Sequence, residues 1–240
     1  NKNKEKIYLS KCEYNPYIFT QKLKINECLI DNKIKKIDFI ILGDSHAQSK
    51  SKDLANKIFQ EFKQNTLIST MPACAPILGM QRIDNPKRNK NCEKFNTLNK
   101  EIIIKKNIKN IILLANWPSY TNRGVFNNGE GGIDKEYVTY DFDNKRNFKY
   151  YFEQQLELFK NLKTKIYLIY PIPEAGWDVK RLDDRMKSRN MEKDEISISF
   201  EKYLERNIEI HNIFENVNDE NIKKIYSYKF FCLNFIKDRC

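Results

Sequence analysis

Residues 37–46 read IDFIILGDSH. An apolar run ends in Gly43-Asp44-Ser45-His46, and a helix-patterned segment follows at once. A strand that stops at a small residue and hands over to a helix places the intervening side chain at the carboxyl edge of a sheet. Open α/β folds bind their ligands there. Ser45 would then turn its Oγ outward, with its own N–H at the positive end of a helix. An acyl-transfer nucleophile is built in that way. The same four letters also fit a plain strand-to-helix turn with Asp44 or Ser45 as N-cap.

Working outward, Ile37–Leu42 is nearly all apolar, as a central parallel strand buried on both faces must be. Ala47–Lys63 carries Leu54, Ile58 and Phe62 at helical spacing, which predicts an amphipathic helix. Thr66–Thr70 is a short second strand. Met71–Asn91 contains Pro72, Pro76, Gly79 and Pro86 and reads as a long loop at the sheet edge that bears Ser45. Ordered loops of this length usually serve a site. Cys92–Lys106 reads as a helix with Phe95, Leu98 and Ile102 inward. Asn110–Ala115 is a third strand, ending in Asn116-Trp117-Pro118. Ser119–Arg146, rich in glycine, reads as a loop with a small hairpin around Tyr137–Phe142.

Asn147–Leu162 predicts a helix through Phe148, Phe152, Leu156 and Phe159, and Lys165–Tyr170 a fourth strand. Val179–Glu195 is a charged surface loop or helix. Ile196–Ile210 is a helix with Phe200 and Leu204 inward, and Lys223–Phe231 a fifth strand. Strands alternating with helices give a parallel sheet with helices on both faces. Residues 1–36 are polar and irregular and read as a disulfide-stapled lead-in to one domain over 37–240. The length of 240 residues suffices for such a domain with a full core.

Six cysteines fall into three local groups: Cys12 with Cys28, Cys74 with Cys92, and Cys232 with Cys240. That grouping favours neighbour pairing among the many connectivities six cysteines allow. Three closed loops imply an oxidising compartment; six free thiols in a cytosolic protein is the competing reading. None forms C-x-x-C, and two histidines in the chain do not complete typical zinc sites. There is no phosphate-binding loop and no dinucleotide fingerprint, so no metal or nucleotide cofactor is implied. The formal charge of +11 comes from 43 Lys and Arg against 32 Asp and Glu. The lysines are scattered, without an Arg stripe or an aromatic-interleaved RNA motif, which argues against nucleic acid as partner. No apolar run is long enough to span a bilayer, and the first residues are too polar for a signal peptide.

Four segments together resemble a known family. Gly43-Asp44-Ser45-His46 looks like the first block of the SGNH hydrolases. Cys74-Ala-Pro76-Ile-Leu-Gly79 followed by Cys92-Glu-Lys-Phe-Asn96, the strand end Leu113-Leu-Ala-Asn-Trp117, and Pro171-Ile-Pro-Glu-Ala-Gly-Trp-Asp178 are more specific. In this order they resemble the SGNH domain fused to the C-terminus of acyltransferase-3 membrane proteins, which O-acylate bacterial surface glycans. The resemblance implies a three-layer α/β/α, flavodoxin-like SGNH fold with a central parallel sheet of about five strands. It implies a periplasmic or otherwise extracytoplasmic location, and an acyltransferase-3 membrane domain as partner in the same polypeptide. That domain would supply the acyl group, with acetyl as the expectation, to a polysaccharide such as lipopolysaccharide.

On this resemblance Ser45 is the nucleophile and Asp44 organises the turn. The oxyanion hole would use the Ser45 N–H, the Cys74–Gly79 loop and Asn116. Asn116 is followed by Trp117 rather than the Asp of the usual family block, so its role is open; an Asn simply ending a strand is the alternative. Trp117 and Trp177 fit either an apolar wall for a sugar ring or, the commoner fate, the core. A serine nucleophile needs a base held by a third group. The family carries both in an Asp-x-x-His motif shortly after the last cysteine pair, and this sequence ends at Cys240 before any such motif. His46 adjoins Ser45 and points elsewhere; His211 has no Asp two or three residues before it and is not taken as the base. The expectation is a fragment whose following residues carry the Asp and His. The alternatives are a carbohydrate O-acetylesterase using the same Ser45, and a non-catalytic periplasmic glycan-binding domain.

Overall fold

The computed structural model describes residues 36–121, 126–134, 138–189, 196–234 and 236–240. In chain order the elements are β1 (Phe39–Gly43), α1 (Ser45–Phe62), β2 (Thr66–Thr70), α2 (Pro86–Lys106), β3 (Asn110–Leu114), β4 (Phe126–Asn127), β5 (Ile133–Asp134), α3 (Phe148–Asn161), β6 (Lys165–Ile169), α4 (Val179–Ser188), α5 (Phe200–Glu215), β7 (Ile222–Ile225) and α6 (Tyr228–Phe231). A 3-10 turn spans Trp117–Tyr120. The chain forms two compact units. The first comprises the described residues up to 116 with 139–169 and 218–225; the second comprises 117–138, 170–217 and 226–240.

The first unit holds a five-stranded sheet in the order β2-β1-β3-β6-β7, with every pair parallel. Its central strands β1 and β3 are short apolar runs buried along almost their whole length. The path steps from β1 to β2 in one direction and then back across β1 to β3. Right-handed crossovers therefore put α1 and α2 on opposite faces. On one face Phe39, Ile41, Ile68 and Ile112 pack with Ala55 and Ile58 of α1. On the other, Ile40, Leu42, Leu67, Ile111, Leu113 and Leu168 are equally buried. This is the parallel α/β sheet flanked by helices that the alternating pattern implies.

Several boundaries differ from the sequence reading. The helix expected from Cys92 starts at Pro86, because Asn85 caps it by accepting from Arg88 N and Pro86 occupies its first turn. Proline is at home there, where its missing N–H is needed by nothing. The loop after β2 is correspondingly shorter, and Cys92 lies inside α2. The small hairpin is Phe126–Asn127 with Ile133–Asp134, not Tyr137–Phe142. Tyr137 lies outside the described residues, and Tyr140 instead bridges Arg82. The fifth strand ends at Ile225, and the chain re-forms as α6, because Ser227 Oγ turns back to the carbonyls of Tyr170 and Pro171. Phe62 and Leu204 are exposed rather than inward. The buried stripes are Ala47, Ser51, Ala55 and Ile58 on α1, and Tyr203, Asn207, Ile210 and Phe214 on α5. The proposed lead-in and the Cys12–Cys28 pair lie outside the described residues.

Gly43 is the position where the architecture is tightest. It pairs with Thr70 on one side and Leu114 on the other. A Cβ built there would run into the Leu114 carbonyl oxygen and the Ala47 side chain. Strand β3 and helix α1 both approach the backbone of β1 at this point, and a hydrogen is all that fits. Gly43→Ala should lower the unfolding free energy by about 1–3 kcal/mol, the usual range for overpacking, as read from urea denaturation.

Candidate active site

Ser45 is the first residue of α1 and is exposed at the carboxyl end of β1. Asp44 before it is 1% exposed. One carboxylate oxygen of Asp44 accepts from His46 N at 2.8 Å, capping the helix. The other accepts from Asn116 N, also at 2.8 Å, at the end of β3. β1 and β3 are neighbours between which the strand order reverses. That reversal is where doubly wound sheets leave a ligand crevice. Asp44, Ser45 and Asn116 are thus brought to one edge of the sheet, with the Asp44 carboxylate joining the two strand ends. His46 is half-buried in the first turn of α1.

The loop that follows β2 belongs to the same unit and is fastened at many points. Met71 N donates to Gly43 O at 2.9 Å, tying its start to the end of β1. A disulfide joins Cys74 to Cys92 with Cα atoms 5.6 Å apart, amid Met71 and Phe95. Ala75 N donates to the Tyr140 hydroxyl oxygen. The Arg82 guanidinium is almost wholly buried. It donates to Ala73 O and, through two nitrogens, to the Asp84 carboxylate. Partial burial pushes the Asp84 carboxyl up, but the bonds from Arg82 and Thr139 N outweigh it and hold the group below the usual carboxylate range. Burial drives the Tyr140 hydroxyl far above its ordinary value, so it stays neutral. Gly79 is exposed with φ +82°, a left-handed turn that suits glycine.

The second unit places the remaining candidates. Trp117 is fully buried, edge-on to Phe214 with ring centroids 5.4 Å apart. It is a core residue and offers no face to a sugar, which corrects its reading as a substrate wall. Trp177 is half-buried against Phe126, Ile198, Tyr203 and Cys232. Cys232 is bonded to Cys240. His211 sits among tyrosines, its ring centroid 5.3 Å from that of Tyr170 and 5.5 Å from that of Tyr228. Its Nε2 lies 3.2 Å from the Tyr203 hydroxyl. Burial lowers its pKa, against a smaller opposing pull from Glu215. Among the described residues, no three His, Cys, Asp or Glu side chains cluster in a way that could hold a metal ion.

The sequence reading gave no role to the buried polar residues that hold the loop, namely Arg82, Asn96, Tyr140 and Gln155, although Asn96 closes one of the family-like segments. One signal was available. Gln155 falls on the apolar stripe of Phe148, Phe152, Leu156 and Phe159, and a polar residue on an inward face must have a partner there.

A family model described as "SGNH domain (fused to AT3 domains)" matches residues 11–240. The chain belongs to this family. Its fold is similar to that of the periplasmic domain of a lipopolysaccharide acetyltransferase from Salmonella ser. Paratyphi A. The identity is 17%, the TM-score 0.56, and the match covers 85% of this chain and 71% of that one. A putative acylhydrolase from Bacteroides fragilis aligns over 78% of this chain and 93% of its own at 11% identity, with a TM-score of 0.34. No curated protein sequence matches significantly. Among the described residues of this SGNH domain, no helix is long and apolar enough to cross a membrane.

Two outcomes follow from this geometry. Asp44→Ala removes both a helix cap and the partner of a buried N–H, so it should destabilise the domain by about 2–4 kcal/mol, measured by chemical denaturation. His211 has a folded-state pKa below its unfolded value of about 6.5. The unfolded chain therefore binds the proton more readily, and stability should fall as pH drops below about 6.5. Unfolding midpoints followed from pH 7.5 to 5 should show that fall, and His211→Gln should flatten it.

Proposed function

We propose that Ser45 accepts an acetyl group and passes it to a hydroxyl of a bacterial surface polysaccharide, outside the cytoplasm, in concert with the acyltransferase-3 domain to which this family is fused. The observation that carries the reading is the exposed Ser45 at the N-terminus of α1, one carboxylate away from Asn116 at the neighbouring strand end. Ser45 Oγ attacks the carbonyl carbon of the acyl donor and gives its proton to a general base. The oxyanion is met by the Ser45 N–H, by Gly79 N–H and by the Asn116 side chain. The donor's leaving group departs with a proton, and acetyl-Ser45 remains. A sugar hydroxyl then attacks the ester, its proton is removed, and Ser45 Oγ leaves reprotonated. Each oxyanion donor is worth about 10²–10³ in rate in comparable sites.

Further support comes from three sources. The family model that matches is described as an SGNH domain fused to AT3 domains. The solved structure it resembles is the periplasmic domain of a lipopolysaccharide acetyltransferase. The two disulfides among the described residues fit an oxidising compartment. The chemistry requires no metal or cofactor, because the acyl donor carries the activated carbonyl. Water in place of the sugar hydroxyl would turn the same cycle into an acetylesterase.

Ser45→Ala should abolish O-acetylation of the surface glycan in a knockout strain complemented with the variant, while the melting temperature stays within a degree or two of wild type. Acetyl content is read by NMR of the purified polysaccharide. Unchanged acetylation would remove Ser45 from the mechanism and leave a glycan-binding role.

A further inference from the structure

Four consecutive residues of the loop after β2 are each gripped by a side-chain amide. Asn96 Nδ2, on α2, donates to Ala75 O at 2.9 Å and to Ile77 O at 3.0 Å. Gln155, on α3, donates from Nε2 to Pro76 O at 2.9 Å and accepts from Leu78 N at Oε1, also at 2.9 Å. Asn96 is 7% exposed and Gln155 is 3% exposed. The next residue along is Gly79, exposed at φ +82°. No hydrogen bond from its N–H to another group is found among the described residues.

Buried carbonyls need partners, and any donor would satisfy that need. The arrangement here does more than satisfy them. Pro76 O can only accept and Leu78 N can only donate, so one orientation of the Gln155 amide serves both. The amide then fixes the planes of the peptides on either side of Ile77. Asn96 fixes the carbonyls at 75 and 77 from a second helix. Side chains locked by packing on regular helices hold a site more tightly than a loop holds itself.

We propose that Gln155 and Asn96 are positioning residues that orient residues 75–78 so that Gly79 N–H stands as a fixed donor to the oxyanion of the Ser45 reaction. This rests on Ser45 being the nucleophile. Gln155 does not touch substrate; it acts through the loop. A donor displaced by a fraction of an ångström to about 1 Å typically loses about 10–100-fold in rate, without a matching change in ground-state binding.

The test uses the full-length gene product and hydrolysis of 4-nitrophenyl acetate, with kcat taken per folded molecule. Gln155→Met keeps the shape and loses both bonds. It should lower kcat by about 10–100-fold with KM within twofold of wild type. Gln155→Glu provides a readout that a merely structural role would not move. Ionised, the introduced carboxylate faces Pro76 O with an oxygen that cannot donate. Protonated, it donates to Pro76 O and still accepts from Leu78 N, as the amide does. Burial raises the pKa of such a carboxyl. The kcat ratio of Gln155→Glu to wild type should therefore climb toward one as pH falls from about 8 to 5, whereas the Gln155→Met ratio stays flat. If Gln155→Met does not fold, the Gln155→Glu ratio decides alone. Ser45→Ala, run alongside, should have no activity. Should Ser45→Ala hydrolyse the ester like wild type, the nucleophile reading falls and the positioning role with it. If Ser45→Ala is inactive but both Gln155 variants stay within twofold of wild type at every pH, the positioning role alone is overturned.

Discussion

A single carboxylate sets the edge of the sheet on which the site stands. Asp44 takes one N–H from its own helix and one from the end of the next strand. The first bond starts α1 at Ser45; the second keeps Asn116 beside it. A neutral side chain of similar size would cap the helix but hold the strand end less firmly, since bonds to a charged acceptor are roughly twice as strong as neutral ones. The bridge is possible because Gly43, one residue earlier, has no side chain to keep α1 and β3 away from β1. Close approach at Gly43 and the divided carboxylate of Asp44 are two parts of one constraint. Together they make the turn between β1 and α1 both tight and reproducible.

The loop after β2 is held by polar contacts in the same manner. An exposed loop rich in proline is ordinarily the mobile part of a domain. This one has a disulfide near its start, a buried arginine near its end, and tyrosine and amide partners between. Each buried polar group would be destabilising if left unpaired. Paired, they tie the loop to α2, to α3 and to the segment around Tyr140. The grip stops at Leu78, and the next residue, Gly79, is exposed.

What the sequence made legible was whatever repeats with a regular period or ends abruptly. The apolar runs of β1, β3 and β6 and the stripe of Phe148, Phe152, Leu156 and Phe159 were plain, because burial on a regular element leaves a regular trace. Gly43-Asp44-Ser45 was plain because a strand, a small residue and a helix follow one another without a gap. Less legible were features whose partners lie far along the chain. Nothing local marks Gln155 as the partner of Pro76 and Leu78, 79 and 77 residues away. Pro86 looks like a loop residue in the sequence, although proline fits the first turn of a helix as well as a turn. Leu204 and Phe62 obey helical spacing but sit outside the buried stripe, since periodicity fixes a face only to within a residue or so.

His211 shows why residue type alone does not identify a base. A general base must become an imidazolium and be stable enough in that form to hold the proton until it is passed on. That stability usually comes from a carboxylate on the other ring nitrogen. Around His211 the arrangement runs the other way. Its hydrogen-bonding neighbour is Tyr203, a hydroxyl that burial keeps neutral. The nearby carboxylate, Glu215, accepts instead from Tyr170 and Tyr226. Burial among tyrosine rings disfavours the charged ring, and the weaker pull of Glu215 does not reverse that. The cluster therefore favours a neutral His211 that packs with its aromatic neighbours. A histidine that is to activate a serine needs the opposite surroundings: an ionised partner behind its ring.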